Sequence, residues 1–179
     1  MPGYLSYVLS ILLCVNPFLA IASDVQSQTS SPLVVLEAIS TIHANGYQGQ
    51  FLLVRLTDDG KVEWDKPVVQ RGSQRQNGSV GAERVSEIKR TLDAIHGSSL
   101  HGSMGPYGIN EDASEELQIK MTAKKGEVTF SVINPWASSE STHHKRMPRD
   151  VRVVVCEVDR LHAQVADVPV QEVCKPTRP

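Results

Sequence analysis

The chain has 179 residues, a net charge of −2, 40% hydrophobic residues and 21% charged ones. That balance belongs to a globular protein rather than a disordered one, and the length fits one domain. Without a basic excess there is no global field to draw in nucleic acid, so no nucleic-acid partner is expected. Aromatic residues make up only 5%, so the core must rest on Val, Leu and Ile.

Residues 5–22 carry no charge and have an apolar centre at 9–15. Pro17 then breaks any helix, and Ala20-Ile21-Ala22 offers the small residues that signal peptidase accepts. Residues 1–22 therefore read as a secretory signal cut before Ser23, although 1–7 contain no Lys or Arg. An uncleaved membrane anchor is the alternative, since about 18–20 apolar residues span a bilayer. After cleavage no stable membrane anchor is expected. Bulky Leu13 before Cys14 argues against lipidation. The protein is thus expected to be secreted or periplasmic.

Residues 23–31 are polar and form a flexible lead-in. A strand over 33–43 ends at Asn45-Gly46, a hairpin dipeptide; a helix capped by Gly46 is the rival reading. The apolar run 51–56, the turn Asp58-Asp59-Gly60 and the alternation of Val62, Trp64 and Val68 predict a strand–turn–strand unit. Residues 70–78 read as a polar loop. Val85, Ile88, Leu92 and Ile95 lie at helical spacing, predicting a helix over 82–96 capped by Gly97. Residues 98–113 form a Gly/Ser-rich loop. Leu117, Ile119, Met121 and Ala123, then Val128, Phe130 and Val132, alternate on either side of Lys124-Lys125-Gly126, which predicts a second hairpin. A polar loop spans 134–149. Val151, Val153 and Val155 alternate like a strand, but Val151, Val154, Val155, Val158, Leu161 and Val165 make a longer helical stripe opened by Pro148 and Asp150, so a helix is expected.

These elements predict an α+β fold of two layers, with an antiparallel sheet of about five strands and two helices packed on one face. The single domain covers 32–168, and 169–179 is a C-terminal tail. The run 51–64, with Asp59-Gly60-Lys61-Val62 inside it, followed by the helix near 83–96, a hairpin and a helix after Pro148, resembles small exported bacterial α+β domains of uncharacterised role. In layout it is also similar to emfourin-type proteinaceous protease inhibitors. The resemblance covers about 33–166 and assigns no functional residue.

Cys14 leaves with the signal, so Cys156 and Cys174 remain as an even pair in an oxidising compartment, and a disulfide pinning the Pro-rich tail is expected. The chemistry-bearing candidates lie in the loops. His143-His144, with distant His101, are the candidate metal ligands, although they lack a recognised ligand spacing and stand beside Lys145 and Arg146. Asn110, Asp112 and Ser114 begin like a calcium loop, but Glu115 and Met121 stand where Gly and Glu are needed. His101-Gly102-Ser103-Met104-Gly105 resembles a nucleophile elbow with His101 in place of the first Gly. Trp136, Lys145, Arg146 and Arg149 are the candidate binding residues: a loop Trp suits an interface anchor, and the cations suit an acidic partner. Asn77-Gly78-Ser79 is a glycosylation acceptor in a eukaryotic secretory pathway.

No motif assembles a catalytic centre, and no cofactor is expected. The residues therefore point to an exported, non-catalytic binding module that meets another protein through loops 98–113 and 134–149. The alternative is a metal-binding protein or small hydrolase using the loop histidines.

Overall fold

Eleven residues from Val34 to Ala44, rich in β-branched and aliphatic side chains, form strand β1, so the strand reading of this segment holds and the helix does not. The computed structural model describes residues 31–44, 47–68, 72–95, 100–107, 113–136 and 147–175. The expected signal, His143, His144, Lys145, Arg146 and Gly97 lie outside the described residues. Strand β2, Tyr47–Thr57, returns antiparallel along β1. Strand β3, Lys61–Val68, follows the Asp58-Asp59-Gly60 turn. Gly60 has φ +84°, and a Cβ there would lie 2.6 Å from the Val80 carbonyl oxygen, so only glycine fits this turn.

Strand β4, Gly72–Ser79, helix α1, Ala82–Asp93, and strand β5, Gly102–Met104, come next. Strands β6, Ala113–Ala123, and β7, Gly126–Ile133, then form the second hairpin, and helix α2, Arg149–Ala166, closes the domain. A short 3-10 helix, Glu172–Cys174, ends the described chain.

The sheet has seven strands in the order β4-β3-β2-β1-β6-β7-β5. It is mixed, because β5 runs parallel to β7. The fold class is α+β, but the expected five-stranded antiparallel sheet is wrong on both strand number and direction. Each omission has a physical reason. The β4 sequence, GSQRQNGS, has no apolar alternation, because an edge strand with every residue exposed or half-buried has no face to bury. The β5 strand is only three residues long and is held by its neighbour rather than by its own composition.

One apolar core joins the sheet and both helices. Leu36, Ala38, Val54, Leu56, Val62, Leu117, Ile119 and Met121 from the strands pack with Val85, Ile88 and Leu92 of α1 and with Val151, Val154, Val155, Val158 and Leu161 of α2. Apart from half-buried Val165, the helical spacings read from the sequence are the ones that are buried. Helix α1 stops at Asp93, with Ala94 rather than a glycine at its C-cap, yet Ile95 just beyond is still buried. Helix α2 ends at Asp167 in a left-handed conformation, φ 54°, which Asp tolerates better than most residues.

Where β2 and β3 part, a side chain takes over from the ladder. Their register covers only Arg55↔Glu63 and Leu56↔Val62. Asp65 on β3 then accepts the Leu52 N–H at 2.8 Å and the Arg75 Nε–H at 2.7 Å, tying β2, β3 and β4 together through one carboxylate. On the sheet face away from the helices, Arg55 bridges Glu37 and Glu63 across three adjacent strands. Those two carboxylates raise the Arg55 pKa, with the Glu37 hydrogen bond the largest cause.

Candidate functional site

The chain leaves β5 and β7 and enters β6 at one end of the sheet. Strands β5 and β7 run parallel and finish together, while β6, antiparallel to β7, begins there. Ala113 at the start of β6 lies opposite Ala44 at the end of β1, and Ala44 in turn faces Tyr47 at the start of β2, so β1 ends and β2 begins at the same end. Two backbone bonds join the loop roots: Tyr107 N–H donates to the Ile133 carbonyl at 3.1 Å, and Asn134 N–H donates to the Glu115 carbonyl at 2.7 Å. Glu115 N–H in turn donates to Asn134 Oδ1 at 2.9 Å.

Gly105 permits the first of these junctions. It has φ +116°, and a Cβ there would stand 2.8 Å from the Ile133 carbonyl oxygen. Tyr107 follows and is buried in the core, and burial raises the pKa of its phenol. Beneath the loops Ser40, 1% exposed, donates from Oγ to Glu115 Oε1 at 2.5 Å, so a core hydroxyl ties β1 to the root of β6.

The expected site residues fall in different places. Trp136 is half-buried and packed against the core edge, following buried Pro135. Arg149 is the first residue of α2 and is exposed. His101 is exposed immediately before β5. Ser103 lies in extended β5, not on a strand-to-helix turn, so the elbow resemblance has no matching backbone. Among the described residues no three His, Cys, Asp or Glu side chains are grouped to hold a metal ion.

Cys156 and Cys174 form the expected disulfide, with a Cα–Cα distance of 5.1 Å. It anchors the segment after α2, and a second tie runs beside it: Gln171 N–H donates to the carboxylate of buried Asp159 at 2.9 Å. Desolvation is the main influence on Asp159 and raises its pKa.

Sequence reasoning missed the polar groups of the interior. Glu157, 4% exposed, meets Arg84 of α1 at 2.5 Å and Arg160 at 3.8 Å. Glu157 sits among Val155, Cys156 and Val158, and that acidic residue inside an apolar stretch was the available signal. At the other end of the sheet, Leu33, Val35, Lys89, Asp93, Thr122, Ala123 and Lys124 line a shallow depression of about 210 Å³. Its one carboxylate is already engaged, since Asp93 accepts the Lys124 N–H at 2.5 Å. Compared with known proteins, the chain matches no protein-family model and no curated protein.

Proposed function

We propose that this protein is an exported, non-catalytic binding module whose contact surface is the loop-bearing end of the sheet. The observation that carries the reading is the joining of the two long-loop roots through Tyr107, Ile133, Glu115 and Asn134. The roots of two loops far apart in sequence are thereby held together on a rigid scaffold, a common base for a recognition site. Half-buried Trp136 supplies a pre-ordered aromatic edge, and exposed Arg149 a cation for an acidic partner group. The disulfide fits an oxidising compartment.

Immobilised processed protein is used to capture partners from the exported fraction of its source, comparing the parent with Arg149→Glu and Trp136→Ala. A stoichiometric partner lost by Arg149→Glu, with far-UV and near-UV dichroism unchanged, supports the loop-end surface. An identical set of partners on parent and both variants overturns it. The mass of the native protein tests export: it should begin at Ser23.

A further inference from the structure

Strand β4 ends the sheet, and among the described residues no strand pairs with its outward edge. Its inner edge is paired without a bulge from Lys61↔Ser79 to Val68↔Gly72. The outward edge is therefore straight, and eight residues at about 3.3 Å each make it roughly 26 Å long. Proteins usually blunt such an edge with proline, lysine, a bulge or extreme shortness. The opposite edge, three-residue β5, uses shortness. β4 uses none of these devices. Its one charge, Arg75, is held on its own sheet by Asp65 at 2.7 Å and Glu63 at 3.5 Å.

We propose that β4 is a dimerisation edge, pairing antiparallel with β4 of a second copy about a two-fold axis through Gln76. Such an axis stands perpendicular to the sheet, so residues set opposite each other must lie on the same face. Arg75 and Asn77 share the face of Asp65 and Glu63, while Gln74, Gln76 and Gly78 share the other. Centring on Arg75 would oppose two guanidiniums. Centring on Gln76 sets Gln76 against itself, where each amide both donates and accepts. It also sets Arg75 against Asn77, Ser73 against Ser79 and Gln74 against Gly78. This register pairs seven residues per chain with no like charges opposed, and a centre on Gln74 pairs only five. The cis ion pairs of Arg75 favour a second copy over an acidic strand, because its charge is already balanced. The edge is separate from the loop-end surface, so the two proposals stand or fall independently.

The test is sedimentation velocity on the processed parent, Gln76→Lys, Gln76→Glu and an equimolar mixture of the two variants. The parent should dimerise with rising concentration. Each charge variant should raise the dissociation constant roughly tenfold or more, since like charges face each other at the axis. The mixture should regain the dimer. Asn77→Lys is the second variant: in the monomer it faces Glu63 favourably, but in the dimer it faces Arg75. A parent that stays monomeric at about 100 μM overturns the proposal, as does a dimer indifferent to all three substitutions.

Discussion

Replacing Arg84 with Met removes the main partner of a carboxylate that has almost no access to water. The Glu157 side chain is 5% exposed and that of Arg84 20%, at 2.5 Å. Breaking a buried pair by deleting one member costs about 3–5 kcal/mol, because the remaining charge keeps its desolvation penalty. Arg160 stays within 3.8 Å of Glu157, but its side chain is 50% exposed and water screens it. That partial substitute places the expected loss near the lower bound, about 3 kcal/mol. The surface pair of Arg84 with Glu87, whose side chain is 61% exposed, adds little. For a domain of this size the melting temperature should fall by roughly 6–12 °C. Arg84→Met with Glu157→Leu removes both charges, and this double variant should return to within about 1 kcal/mol of the parent. Urea unfolding of the four corners of the cycle measures the coupling. A single variant within about 1 kcal/mol of the parent, or a double variant as unstable as the single, would refute the view that desolvation sets the cost.

Three further outcomes are expected. Replacing both Cys156 and Cys174 with Ser opens a loop with a sequence separation of 18 and should cost about 3 kcal/mol in urea unfolding, with reductant then having no further effect. Gly60→Ala should cost about 2 kcal/mol, since the new methyl meets the Val80 carbonyl oxygen at 2.6 Å with φ at +84°; an unchanged melting temperature would show that the turn relaxes. Asp159→Asn keeps an oxygen for the Gln171 N–H while removing a charge that burial disfavours. Because the native pKa is raised from 3.8, the stability this group contributes is present in acid and lost as pH rises through the native value. The Asn variant should therefore be at least as stable as the parent at pH 7, with its advantage shrinking towards pH 4. A urea midpoint clearly below the parent's at pH 7 would show that the charge itself is needed.

Much of the architecture was legible because burial imposes a period. Val85, Ile88 and Leu92 announced α1, and Val151, Val154, Val155, Val158 and Leu161 decided α2 against a strand, since a helical stripe of that length must cover a core. Leu117, Ile119 and Met121 marked a strand with one buried face. β4 and β5 gave no such signal. They are paired through backbone bonds to β3 and β7, and a hydrogen-bonded backbone leaves no mark on composition. Spacing could not show that β5 lies inside the stretch 98–113 expected to be a loop, nor that the loop roots meet, because both depend on the strand order around β6 and β7.

The sequence by itself determined the apolar stripes, the Asp59-Gly60 turn and the cysteine pair, because each follows from local backbone geometry or from a simple count. Only the tertiary structure decided the number and direction of the strands, the Arg84–Glu157 pair and the joining of the loop roots. Those depend on contacts between distant residues, such as Ser40 with Glu115, and local spacing carries no information about which far segment will become a neighbour.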